Sequence, residues 1–255
     1  MIDSDVAIQL LKVSKTYKIK ERSYSTIRQK ILNIFNNSNK TKIVKALNNI
    51  ELTINAGSVL GIIGRNGSGK STLLNIIMGS IKPDKAGTVY TKGKMMRLSL
   101  GMGVDNSLTA RDNIYVNGSV IGLSFKKIGQ IFDEIITFAG LENFVDTPVK
   151  FYSKGMRQRL LFSIAMHAEA DIFLLDEFFG GTGDQDFKKK SDIAFNKRIV
   201  ERKTLIIVSH NLTLIEKYCD KVLWIDKGNT IGYGKPFEII ESYKNSFVHL
   251  ESANH

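Results

Sequence analysis

The stretch GRNGSGKS, residues 64–71, constrains this chain more than any other. It fits G-x-x-x-x-G-K-[ST] without a mismatch, directly after the short apolar strand SVLGII and directly before LLNIIMG, which has the pattern of a helix. Glycines let backbone N–H groups approach phosphate oxygens, and a helix N-terminus adds a partial positive charge. The pattern assigns Gly64, Arg65, Asn66, Gly67, Ser68 and Gly69 to a phosphate cradle, and Thr72, next after the pattern, is placed with them as a nucleotide-binding candidate. It gives Lys70 reach to β- and γ-phosphates and makes the Ser71 hydroxyl a ligand of Mg²⁺. A fortuitous glycine turn is the competing reading, and the flanking strand and helix argue against it.

A second half of the site is expected in DIFLLDE, an apolar strand with Asp176 at its C-terminal end. That carboxylate would lie beside the phosphate loop and hold the Mg²⁺ shell. Glu177 follows at once, positioned to polarise an attacking water as general base. His210, after the strand TLIIVS, should reach the same edge of the sheet, where a neutral imidazole can hydrogen-bond the γ-phosphate. A solvated turn and a structural histidine are the plainer readings of these residues.

The rest of the chain fits one large domain or two small subdomains of alternating strands and helices. Its 255 residues are 43% hydrophobic, with no apolar run near the roughly 18 residues of a spanning helix. MIDSDVA is acidic where a secretory signal is basic, so no leader is expected. Cys219 alone allows no internal disulfide. The net charge of +11 is concentrated: Lys12 to Lys45 holds ten Lys or Arg against one acid, Glu21. A basic segment on a nearly neutral chain implies a local anionic partner and not a nucleic-acid face.

That segment falls between two strand-like runs. VAIQLLKVSKTYKI reads as a strand ending near Tyr17, and strand alternation resumes in VKALNNIELTINAGSVLGII. Between them Ile27, Ile31, Ile34 and Phe35 recur at helical spacing. TVYTKGKMMRLSL reads as a hairpin or a bent strand around Lys92-Gly93. Thr109 and Asp112 form a capping box at the start of a mainly helical insertion that runs to about Ala168. The strand VLWID and the turn KGN then lead to a last helix from Pro236. Inside the insertion YSKGMRQRL puts Ser153 and Gly155 at the mouth of a helix, which locally reads as an N-cap serine.

With Lys70, Asp176-Glu177 and His210 in this order, the chain resembles the ATP-binding subunit of an ABC transporter from about Val6 to Glu241. The resemblance implies an α/β fold: a P-loop NTPase core of mainly parallel strands, an antiparallel β subdomain and an inserted helical subdomain at about 105–168. One such domain would fill residues 1–255, with a basic insert at about 20–45 and a short C-terminal helix at about 236–248. Tyr152-Ser153-Lys154-Gly155-Met156 stands where the family has Leu-Ser-Gly-Gly-Gln. Ser153, Gly155 and Met156 would therefore cap ATP held by a second copy in a head-to-tail homodimer. Tyr17 resembles the aromatic that stacks on adenine, although a strand-end Tyr can equally be core. Asp184 resembles the loop aspartate that meets the opposite subunit, at a spacing from Glu177 about one residue longer than usual. No Gln lies between Gly87 and Ala110, where the family has one linking core and helical subdomain; Ser99 or Asp105 stands in that stretch.

LGMGVDNSLTARDNIYVNGSVIGLS together with YSKGMRQRL is similar to ATPases that export lipid-linked O-antigen, capsule or teichoic-acid precursors. This implies ATP and Mg²⁺ as cofactors, a separate polytopic permease as partner, and a peripheral location on the cytoplasmic face of the bacterial inner membrane. No carbohydrate-binding domain is expected after the ATPase. The basic insert would meet the anionic leaflet, guide a lipid-linked glycan, or fold as a charged flap on the core. The alternatives are an ABC ATPase for another exported substrate, or a soluble ABC ATPase acting on ribosomes or DNA, the latter disfavoured by one cassette and no sustained heptads. A silent binding module would lack the hydrolytic residues, and all of them are present.

Overall fold

The computed structural model describes residues 5–20, 41–99, 103–176, 185–200 and 203–252. Two sheets organise it. Strands β1 (Val6–Lys20), β2 (Thr41–Asn55) and β4 (Thr88–Thr91) form an antiparallel sheet in the order β2-β1-β4. Strands β3 (Val59–Ile63), β5 (Met95–Ser99), β6 (Ile172–Asp176), β7 (Thr204–Val208), β8 (Lys221–Asp226) and β9 (Asn229–Gly234) form the second, in the order β5-β6-β7-β3-β8-β9. All its pairs are parallel except β8 with β9.

The continuous apolar strands are explained by burial on both faces. On β6, Ile172 and Leu174 join the core shared with the antiparallel sheet, while Phe173 and Leu175 pack against helices on the other face. On β7, Ile206 and Val208 take the first side and Leu205 and Ile207 the second. Helix α1 (Lys70–Ile77) lies in the first core through Leu73, Leu74, Ile76 and Ile77. Helices α5 (Gln185–Phe195), α6 (Leu212–Tyr218) and α7 (Pro236–Ser252) cover the second through Phe187, Phe195, Ile215 and Ile240.

Between β5 and β6 the chain builds α2 (Ala110–Val120), α3 (Phe125–Ala139) and α4 (Lys154–Ala165), with a core of their own. The Thr109–Asp112 capping box opens α2. Ser124 caps α3, whose stripe Ile128, Ile131, Ile135 and Ile136 meets Ile114 of α2 and Leu160 of α4. Among the described residues no helix is long and apolar enough to cross a membrane.

Three sequence expectations are settled or changed. Of the two readings of TVYTKGKMMRLSL, the hairpin does not form and the bent course does: β4 pairs with β1 and β5 with β6, and the chain crosses between sheets at Lys92–Lys94. The crossing is fixed by Asp171, whose Oδ2 accepts from Lys94 N at 2.9 Å while its own N–H donates to Lys94 O. Strand β9, NTIGYG, was hidden by its glycines and lies before the last helix. The strands β1 and β2 also take up both ends of the basic segment, pairing as far as Lys20 with Thr41. The helical pattern at Ile27, Ile31, Ile34 and Phe35 lies outside the described residues.

Candidate functional site

The phosphate loop leaves β3 at Ile63 and opens α1 at Lys70. Its shape depends on two glycines. Gly64 has φ 149°, and a Cβ there would lie 2.1 Å from the carbonyl oxygen of Ile225. Gly69 has φ 114°, and a Cβ would lie 2.5 Å from the carbonyl oxygen of Ala46. The loop is thus pressed between β8 and β2 with room for backbone alone. Further bonds brace it: Ser68 N donates to Arg65 O (3.1 Å), Gly228 N to Ser68 O (2.8 Å), and Asn48 N to Gly228 O (2.8 Å).

The Lys70 ammonium curls back over this loop, donating to the carbonyls of Gly64 (2.7 Å) and Arg65 (2.9 Å). It is held above the mouth of the loop, where it can also meet phosphate oxygens. Ser71 is exposed and Thr72 half-buried on the first turn of α1. Ser68 is buried, and its Oγ has no hydrogen-bond partner among the described residues. The Arg65 guanidinium stacks on the Phe247 ring of α7, 4.7 Å from its centroid. Phe247 meets Tyr243 edge-on (4.9 Å), and Tyr243 meets Trp224 of β8 (5.4 Å). Burial raises the Tyr243 hydroxyl pKa, with Arg65 pulling it down and Asp226 raising it further.

Sheet register brings the other candidates to the same edge. Ile62 of β3 aligns with Val208 of β7, and Val208 aligns with Asp176 of β6. Gly64, His210 and Asp176 therefore leave one end of the sheet from three successive strands. Strand β7 separates β6 from β3, so Asp176 is two strands from the loop, roughly 10 Å by the usual strand spacing. His210 is exposed just beyond β7. Ser99 stands opposite Asp176 in the β5–β6 register, whereas Asp105 is spent on its own loop, accepting from Ser107 N and Oγ. Those bonds hold the Asp105 carboxyl below its ordinary pKa. Glu177 and Asp184 lie outside the described residues.

Two candidates stand apart. Tyr17 is half-buried on the part of β1 that pairs only with β2, with Lys15 Nζ 5.7 Å from its ring. Ser153 is the exposed N-cap of α4, its Oγ accepting from Met156 N at 3.1 Å, with Gly155 and Met156 in the first turn. The cap uses a lone pair of the hydroxyl and leaves its proton for another acceptor, so capping and phosphate binding are compatible. Tyr152 anchors the turn before α4, buried and donating to Phe144 O at 2.5 Å.

A residue missed in the sequence completes the site. Arg97 of β5 donates to Asp176 Oδ2 and to Asn75 Oδ1 on α1. The signal was available: an arginine in MMRLS, an otherwise mostly apolar strand, must have an acid to meet. Among the described residues no group of three carboxylates, imidazoles or thiolates could cage a metal. A hydroxyl and a carboxylate near a phosphate loop are the donor set of a hard cation that arrives with its phosphates, so Ser71 and Asp176 fit Mg²⁺.

The ABC transporter family pattern matches residues 47–180. The O-antigen export system ATP-binding protein RfbB of Myxococcus xanthus is 36% identical over 99% of this chain, which spans 59% of that relative. The teichoic acids export ATP-binding protein TagH of Bacillus anthracis is 38% identical over 91% of the chain, which spans 41% of it. RfbB of Klebsiella pneumoniae is 40% identical, covering 80% of the chain and 82% of the relative. Among solved structures, the dimeric post-hydrolysis state of the ATP-binding cassette MJ0796 with ADP and Pi superposes with a TM-score of 0.68 at 23% identity, over 90% of this chain and 98% of that one. CbiO1 of Clostridium perfringens gives 0.65 at 21% identity over 93% and 92%. Match to the family across the phosphate loop and Asp176, and to most of a relative at 40% identity, has one reading: the chain belongs to the ABC transporter family of ATP-binding proteins.

Proposed function

We propose that this chain is the ATP-hydrolysing motor of an exporter that moves lipid-linked cell-surface polysaccharide across the cytoplasmic membrane. The observation that carries the enzymatic half is the alignment of Ile62, Val208 and Asp176, which sends the phosphate loop, His210 and Asp176 out of one sheet edge. The substrate half is supported by relatives named for O-antigen and teichoic-acid export.

In this reading the loop amides and Lys70 hold the phosphates, and Tyr17 stacks on adenine. Ser71 and Asp176 hold Mg²⁺, which neutralises developing charge on the phosphates. Glu177 accepts the proton of the attacking water, and His210 fixes the water's geometry. Ser153 and the amides of Gly155 and Met156, at the positive end of α4, cap ATP bound to the second copy of a head-to-tail dimer. Asp184 contacts that copy. A dimeric neighbour supports this arrangement. The α2–α4 subdomain drives a separate polytopic permease, with the chain peripheral on the cytoplasmic face. The basic segment between β1 and β2 receives anionic lipid or the glycan's pyrophosphate.

The test is the amount of undecaprenyl-type lipid-linked glycan in cells expressing only Glu177→Gln. Accumulation inside, with loss of glycan at the surface, is expected. Unchanged glycan on both sides of the membrane would remove the substrate assignment and leave the ATPase standing.

A further inference from the structure

Arg97 lies on β5, at the edge of the parallel sheet, and its guanidinium is forked. One nitrogen donates to Asn75 Oδ1 of α1 at 2.8 Å; another donates to Asp176 Oδ2 at the end of β6. In the β5–β6 register Arg97 stands opposite Leu174, so its side chain reaches two residues forward to meet the carboxylate. The two side chains are only 31% and 19% exposed, which limits screening of the pair by water and salt. The fork ties the helix that begins at Lys70 to the strand that ends at Asp176.

We infer that Arg97 is the resident counter-cation of Asp176, holding that carboxylate until a divalent cation enters with its nucleotide. The inference rests on the reading of Asp176 as a metal-holding residue. The guanidinium takes one lone-pair site on Oδ2, and a hard divalent cation that meets Asp176 directly or through its water shell competes with it for the carboxylate's charge. Two cations at one carboxylate also repel each other. The Mg²⁺ concentration needed for nucleotide binding is therefore higher than Ser71 and Asp176 alone would require. Arg97 acts through Asp176 and is a positioning residue. It makes the site selective for nucleotide that comes with its metal, because the metal is what displaces it.

The experiment titrates Mg²⁺ into the full chain with mant-ADP and reads fluorescence. Arg97→Gln should lower the Mg²⁺ midpoint by about tenfold, the effect of one neighbouring charge on a carboxylate. Loss of a structural support would raise the midpoint or leave it alone, so the direction separates the two roles. Arg97→Lys keeps a cation on the strand and should fall between wild type and Arg97→Gln; it is the readout if the glutamine variant does not fold. A midpoint unchanged or raised in the variant measured overturns the inference. Asp176→Asn separates this from the reading beneath it. A wild-type midpoint there removes Asp176 as metal holder, and the inference with it. A raised midpoint there, beside an unchanged Arg97→Gln, removes the inference alone.

Discussion

The guanidinium of Arg65, inside the phosphate loop, lies 4.7 Å from the ring centroid of Phe247, 182 residues later and near the end of the last helix. The loop is thereby in contact with the chain's C-terminal element, through a stack that continues by way of Tyr243 to Trp224, the single tryptophan. Phe247→Leu keeps most of the apolar area but loses the π face, and should lower stability by about 0.5–1 kcal/mol. Phe247→Ala should cost about 2–3 kcal/mol by adding lost packing. Urea unfolding followed by Trp224 emission measures both; equal losses would show that the π face alone matters, and no loss in Phe247→Leu that packing alone does.

Glycines in the loop should not be equivalent. Gly64→Ala drives a Cβ into the Ile225 carbonyl, which cannot move without breaking β8, so a loss above about 3 kcal/mol and no mant-ADP binding are expected. Gly67 has φ 76° but open space around the added Cβ. Gly67→Ala should cost only the strain of a left-handed backbone, about 1 kcal/mol. Equal melting temperatures would contradict this.

Lys70→Ala removes a charged donor held over the loop by two carbonyls. Nucleotide affinity should fall about 10- to 100-fold, the range for losing charge-assisted hydrogen bonds to phosphate. Calorimetry reads it, and unchanged affinity would take Lys70 out of the site.

Burial pushes the Cys219 thiol up to about 12 from 9.0. The native chain should resist a thiol reagent at pH 8, and the urea-unfolded chain should react at once. The sign for stability follows. The neutral thiol favours the folded state fully below pH 9, and that contribution is lost as pH rises towards 12. Cys219→Ala should flatten the alkaline fall of the melting temperature; an identical fall in both proteins would count against it.

Glu177→Gln, if the site is split between two copies, should give a stable dimer in saturating Mg-ATP. Light scattering at monomer mass under those conditions would contradict the head-to-tail arrangement.

What could be read from the sequence was local or periodic. The phosphate loop, the apolar strands β6 and β7 and the Thr109 capping box each lie within a few residues and carry their own signal. Contacts across the fold could not be read that way. Arg97 and Asp176 are 79 residues apart, and β7 comes between β6 and β3 although it follows both in the chain. The choice between hairpin and bent strand at Lys92-Gly93 could not be made locally for the same reason. The two arms are good strands, but Val89 finds Leu10 and Met96 finds Phe173 as partners. A strand's partner is set by the whole sheet, and only its existence is set by its residues.

The position of β5 has one more consequence. Among the described residues it hydrogen-bonds only β6, and Met95 meets Ile172 across the whole helical insertion. Closing so long a loop before any ladder bond forms makes this pairing a late step in folding. By the same cost it is an early step in local opening. In amide hydrogen exchange β5 should lose protection before β3 or β7, and whatever restrains its outer edge in the cell would decide how often Arg97 leaves Asp176.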